Sequence, residues 1–313
     1  MRLPTATVRH ELATGYAHQD YAYSLNEWGL PRELPKSRGW ILERPIGETN
    51  YRDGMGCYPI FSCNDWKNIK EDLDEMREEI VCLSLVSDPF GNYTEESLHD
   101  SFHDFVVPFK QHFVADLTIA PDSILSKHHR YYSKKALAKI VVEKCEQPDQ
   151  YVDVWTDLYA HLTAHHHLSG IKAFSREAFA RQFKVPGLVM LRATYGGRNV
   201  AAHLWFVQGD VAHSHLAAAN EEGYELLAAY GLYRVAFDFF ADKVRWLNFG
   251  GGPGVTNSSA DGLTRFKRGW SNETRTAYFC GRIFDHEMYA NLCAATSLAD
   301  SSYFPAYRAG ELA

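Results

Sequence analysis

The residues with the clearest chemical potential lie between 244 and 270. Val244-Arg-Trp-Leu-Asn-Phe-Gly-Gly-Gly-Pro-Gly254 is a short apolar strand that runs into a glycine cluster, and Asp261-Gly-Leu-Thr-Arg-Phe-Lys-Arg-Gly-Trp270 follows it. Glycines at 250, 251 and 252 would let a ligand come close to the backbone, because no Cβ stands in the way. The cations Arg265, Lys267 and Arg268 beside such a loop suit an anionic ligand or an oxyanion that develops during reaction. A tight strand-to-helix turn with a solvated basic rim is the competing reading.

Three further groups of side chains could do chemistry. His213 and His215 are two apart on an expected strand and so point the same way, and either could take a proton from an amine near neutral pH. His203 on the neighbouring strand pairs with 215 if the intervening loop has three residues, and moves away from it if the loop has two. A histidine hydrogen-bonded to backbone competes with the base role. Lys127, Arg130 and Lys134 belong to a segment, Ser126 to Lys139, that has five Lys or Arg and no acid, and they could clamp phosphate. A solvated helix face is the alternative there. His161, His165, His166 and His167 include one i, i+4 pair, but no local carboxylate or cysteine completes a ligand set, so a polar helix face is expected and no metal site.

Composition narrows the class. The chain has 313 residues, 46% hydrophobic and 23% charged, enough for one large or two smaller globular units. With 18 Tyr and 18 Phe, a mixed α/β body is favoured over a helical bundle. The formal net charge of −7 argues against general attraction to nucleic acid or anionic lipid, so a polyanion would have to meet a local patch. Six cysteines without a C-x-x-C pair, no apolar leader and no membrane-length apolar run suggest a reducing compartment, with the cytoplasm expected.

The elements that must hold these residues alternate. Residues 1–36 are turn-rich and read as irregular. A strand at 40–44, a turn and strand at 54–61, a helix at 65–79 with an acidic outer face, a buried strand at 80–86, a helix from Thr94 and a strand at 112–117 make a layered unit. Helices at about 151–168 and 175–183, the latter with Ser175 as N-cap, lead to strands at 188–195, 199–207 and 211–217. Asn220 then caps a helix reaching Phe239, and the strand at Val244 follows.

That order of meander, helix, parallel strand and helix resembles GNAT acyltransferases. The wording "LNFGGG…GLTRFKRGW", with Ser126-Lys-His-His-Arg-Tyr-Tyr-Ser-Lys-Lys-Ala136, resembles the second domain of FemAB-like peptidoglycan interpeptide-bridge aminoacyltransferases. The likeness covers about 112–285 and is loose before it. It implies an α/β (α+β) fold of two GNAT-like halves, each a mixed, mainly antiparallel sheet flanked by helices, divided at 1–125 and 126–313. It also implies acyl transfer to an amine of a peptide, amino sugar or amino acid, without a tightly bound cofactor. Lys267 would then bind the donor or stabilise the oxyanion, with Asn248, Asp261 and Trp270 around the ligand and His213 or His215 as base. The donor would be aminoacyl-tRNA or acyl-CoA. Ala217-Ala-Ala-Asn-Glu-Glu-Gly-Tyr224 stands where CoA-dependent GNAT proteins carry a glycine loop for pyrophosphate, and its two carboxylates speak against CoA. A catalytically silent binding protein on the same body is the third possibility.

Overall fold

A computed structural model describes residues 13–252, 262–295 and 303–311; Asp261, expected at the site, lies outside them. The first half runs through a 3-10 turn (Gly15–Ala17), α1 (Gln19–Ser24), β1 (Leu30–Leu34), β2 (Gly39–Pro45), β3 (Arg52–Gly56), α2 (Ile69–Glu75), β4 (Cys82–Val86), α3 (Glu95–Ser101) and β5 (Phe105–Asp116). The second adds α4 (Pro121–Ile124), α5 (Lys127–Leu137), β6 (Val141–Lys144), α6 (Val152–His166), α7 (Arg176–Gln182), β7 (Leu188–Tyr195), β8 (Arg198–Gln208) and β9 (Val211–Ala219). It ends with α8 (Glu221–Glu225), α9 (Ala228–Phe240), β10 (Trp246–Asn248), α10 (Gly262–Arg268), β11 (Glu273–Ile283) and α11 (His286–Ala295).

Local chemistry explains several boundaries. Thr94 and Ser97 form a reciprocal capping box that starts α3, and Ser175 accepts from the Ala178 amide to start α7. The segment expected to be irregular instead supplies α1 and β1. Pro31 obscured β1, yet it is tolerated because β1 pairs only with β2, at the sheet edge. The single helix expected after Asn220 is two: Leu227 takes φ +58 and separates α8 from α9.

All described strands join one sheet in the order β1-β2-β3-β4-β11-β5-β10-β9-β8-β7-β6. It is mainly antiparallel, as the two-half expectation required. Two pairs are parallel, β3 with β4 and β9 with β10, and in each a helix joins the partners. The halves therefore repeat one strand-helix-strand motif. They are stitched together because β11, late in the chain, lies between β4 and β5.

The middle of the sheet is covered on both sides. Val200 to Phe206 of β8 are buried at every position, which a strand with one wet face would not allow. Phe206 packs with Tyr16, Tyr21, Trp155 and Phe179 on one face, where α1, α6 and α7 lie. Trp205 packs with Phe237, Phe240, Phe249 and Trp270 on the other, under α9.

Candidate active site

The strands part at one place in the middle of the sheet. β10 runs parallel to β9 for three residues, with Trp246 opposite Val211, Leu247 opposite Ala212 and Asn248 opposite His213. β9 then continues to Ala219 against β8 alone, while the chain after Asn248 turns away through Phe249 and the glycines. Among the described residues, the β9 edge from Ser214 to Ala217 thus has no partner strand on the β10 side. Parallel strands that splay in this way leave a crevice beyond their carboxyl ends, where α/β proteins commonly take their ligands.

Asn248 closes the apex of that crevice. Its Oδ1 accepts from the Gly250 amide at 3.0 Å and lies 3.1 Å from His112 Nδ1, and its Nδ2 donates to His213 Nδ1 at 3.0 Å. His112 comes from β5, where it lies two residues from Val114, the partner of Asn248. The three polar side chains therefore share a face on three adjacent strands. Gly250 has φ +75, a conformation reserved largely for glycine, and this is the turn that brings its amide back onto Asn248.

Cations ring the turn. Lys267 of α10 is half-buried and donates from Nζ to the Gly251 carbonyl at 2.6 Å. A Cβ on Gly250 would lie 3.3 Å from Lys267 Nζ, and one on Gly251 would lie 3.1 Å from Lys110 Cβ, so both glycines admit a lysine side chain against the backbone. A Cβ on Gly252 would press Thr264 Oγ1 at 2.6 Å. Lys110 is 8% exposed, and burial lowers its pKa. Burial, and next the Lys267 ammonium, push His112 down to about 3. On the other flank of Asn248, burial lowers His213 while the Asp88 charge opposes it. Arg275, opposite His112 on β11, lies over the rings of Phe90 and Trp246 at 4.2 and 4.6 Å.

The histidine expectations divide. His213 and His215 do face the same side, for both rings pack edge-on against Tyr16. His215, however, is held on both nitrogens, 3.0 Å from Tyr16 Oη and 3.1 Å from Gln182 Oε1, and burial takes its pKa to about 3. It is a core histidine joining α7 to β9. His203 pairs with Ala217 and lies on the opposite face, between Trp205 and Tyr233. The hairpin turn has two residues, Gly209 and Asp210, and the register shifts by one between Leu204 and Trp205.

The other expected residues scatter. Trp270 is wholly buried among Tyr233, Phe237 and Phe266, so it anchors α10 and does not reach a ligand. Arg265 and Arg268 are exposed on α10, and the Arg268 guanidinium lies 5.9 Å from the Phe113 ring. Arg130 donates to the Asp122 carbonyl at 2.6 Å, and with Lys134 and Arg234 it lines a separate groove of about 460 Å³ between α5 and α9. Lys127 is exposed on the first turn of α5. His161, His165, His166 and His167 are exposed at the end of α6, and His165 stacks on Tyr224.

His112 and Lys110 were not among the expected residues. A signal existed: Lys110, His112 and Val114 alternate with Gln111 and Phe113 along β5, so a period of two puts both polar residues on the face of a buried strand. Charged or imidazole groups there need a reason. Tyr16 and Asp88 gave no such signal, because only the tertiary fold brings them near His213.

Comparison with known proteins agrees with this geometry. Residues 125–268 match the family model described as an acetyltransferase (GNAT) domain. A crystal structure of FemX superimposes with a TM-score of 0.65 at 11% identity, covering 88% of this chain and 93% of that one. The C-terminal domain of a putative lysylphosphatidylglycerol synthetase from Agrobacterium fabrum gives 0.60 at 13% identity, covering 87% and 92%. L-PGS from Bacillus licheniformis gives 0.55 at 14% identity, covering 87% and 93%. The chain has a FemAB-like GNAT fold. No curated protein matches the sequence. The glycine-bearing strand end and α10 meet where Lys267 bonds the Gly251 carbonyl and Thr264 lies against Gly252, so these parts of the quoted motif are adjacent in space as well.

Proposed function

We propose that this protein transfers an aminoacyl group to the amine of a peptide, amino sugar or amino acid by direct attack. The carrying observation is the parting of β9 from β10 at the His213–Asn248 pair, with the Lys267 ammonium on the backbone of the same glycine turn. A carbonyl seated in that crevice would develop its negative charge beside an ammonium and backbone amides. Removing one such donor commonly costs about 3 kcal/mol of transition-state stabilisation. No covalent enzyme intermediate is needed, because an amine attacks an activated ester without help from a protein nucleophile.

Aminoacyl-tRNA is the favoured donor over acyl-CoA. In a CoA-dependent site the β9–α8 junction would present free amides to a pyrophosphate. Here Asn220 Oδ1 takes the Gly223 amide at 2.9 Å, and Glu221 and Glu222 occupy the first turn of α8. Gly223 serves packing, since a Cβ there would meet the Val200 carbonyl oxygen at 2.2 Å. That junction repels an anion. A putative lysylphosphatidylglycerol synthetase domain shares the fold, and its name fits aminoacyl transfer as the reading to test first.

The test pairs a pool of charged tRNA, and separately labelled acetyl-CoA, with a panel of amines. Transfer from charged tRNA, abolished by ribonuclease and weakened steeply by salt, is the expected result. Transfer from acetyl-CoA alone would reassign the donor. Absence of transfer from both would leave a binding protein on a GNAT body.

A further inference from the structure

We propose that His112 is the proton acceptor for the incoming amine and that Asn248 is the positioning residue that fixes its tautomer, a role that rests on the transferase reading above. The argument begins with the orientation of one amide. A backbone N–H can only donate, so the Gly250 amide 3.0 Å from Asn248 Oδ1 identifies that atom as the oxygen. The other atom is then the NH₂ group, and it donates to His213 Nδ1 at 3.0 Å.

Both histidine tautomers follow. His213 Nδ1 receives a hydrogen and carries none, so the neutral ring holds its proton on Nε2. His112 Nδ1 lies 3.1 Å from an atom that only accepts, so it carries the proton, and Nε2 of His112 presents a lone pair. A single carboxamide thus sets two neighbouring imidazoles in opposite states, one a base at Nε2 and the other a donor at Nε2. Rotating the amide would set its NH₂ against the Gly250 N–H and reverse both.

Contacts assign the sides. The Lys267 charge acts on His112 and also on His203, and the Asp88 charge acts on His213, so contacts rather than charge decide the side. His112 and Lys267 meet the same glycine turn, His112 through the Asn248 oxygen that takes the Gly250 amide and Lys267 on the Gly251 carbonyl. Of the two rings bonded to Asn248, His112 is 7% exposed and His213 2%. Burial and the nearby ammonium groups of Lys267 and Lys110 keep the ring neutral, so its lone pair is available wherever the attacking amine is unprotonated. Negative charge arriving on the carbonyl oxygen opposes the Lys267 field, second to burial in lowering His112, and raises its basicity at the moment a proton must be taken.

The step balances. The amine lone pair forms the new C–N bond, and the carbonyl π pair moves onto oxygen beside Lys267. The N–H proton passes to His112 Nε2. When the intermediate collapses, the ester C–O bond breaks and that proton goes to the departing hydroxyl oxygen, returning His112 to neutral.

The test uses His112→Asn, whose amide nitrogen can still donate to Asn248 while Nε2 is lost. The expected result is a fall in kcat of about 100-fold or more, in the range of general-base catalysis, with acceptor KM and melting temperature near wild type. Wild-type kcat in this variant would overturn the proposal. The second readout needs no turnover: ¹⁵N spectra of histidine-labelled protein should show His112 protonated at Nδ1 and His213 at Nε2. Asn248→Asp should switch His213 alone, because its new oxygen demands a proton on Nδ1. A wild-type spectrum with His112 protonated at Nε2 would overturn the assignment. Should the wild type transfer no acyl group from either donor, the transferase reading fails and the proton-acceptor role falls with it, while the spectra still decide whether Asn248 sets the tautomers.

Discussion

Acidification from about pH 7.5 to about pH 5 should remove at least about 6 kcal/mol of folding stability, the share of three buried histidines, to which His213, also lowered by burial, adds. His112, His203 and His215 are 7, 0 and 8% exposed, and burial brings each pKa from 6.5 to about 3. The sign follows from which state binds protons first. Their folded pKa values lie below the unfolded one, so under acid the unfolded chain takes up protons that the folded chain refuses. Stability is fully present above 6.5 and drains as pH falls from there toward 3. Each histidine contributes a slope of about 1.4 kcal/mol per pH unit, which integrates to about 2 kcal/mol at pH 5. Total stability of a globular protein is about 5–15 kcal/mol, so the midpoint of acid unfolding should lie well above the carboxylate range. Carboxylates cannot mimic this window. Asp74 and Asp116 are held at about 2, chiefly by Arg282 and Arg245, so what they contribute is lost only as pH drops from 3.8 toward 2. The assay is urea unfolding at three pH values between about 5 and 7.5, repeated for His203→Met. Across that window the variant should lose about 2 kcal/mol less than wild type. A stability that stays flat down to pH 5, or an unchanged slope in the variant, would refute the reasoning.

Three substitutions probe separate parts of the molecule. Lys267→Met should lower kcat by about 100-fold or more while leaving the melting temperature close to wild type, measured by single-turnover transfer and calorimetry. Arg308→Ala should destabilise by about 3 kcal/mol in urea unfolding. Asp53 is completely buried, Arg308 holds it from Nε at 2.5 Å and from Nη2 at 3.0 Å, and Arg44 would be its remaining cation. Gly269→Ala should cost at least about 2 kcal/mol or prevent folding, because the new Cβ would lie 1.9 Å from the His129 ring; a thermal melt equal to wild type would contradict the packing.

Legibility in the sequence tracked how local the determining physics is. The strands at 188–195 and 211–219, and the caps at Ser175 and Asn220, were readable because each depends on residues within one turn or one pleat. The site was readable only along the chain: Asn248, the glycines and Lys267 stand close in one motif, and the fold keeps them close. Its second half was hidden because it comes from other strands. His112 reaches Asn248 only because β5 and β10 pair, and that pairing joins residues 136 apart in sequence. The histidine pair left open by the sequence shows the converse. His203 could be set beside His215 only by assuming a register, and one shift at Leu204 sends the intervening residue out of the ladder. The family resemblance puts Trp270 around the ligand, yet its indole is wholly buried, and Lys267, three residues earlier on α10, is the one that reaches the turn. An aromatic-Lys-x-Gly-aromatic pattern therefore encodes an anchor and a pointer together. Phe266 and Trp270 pack against Tyr233 of α9, and the lysine between them reaches the Gly251 carbonyl.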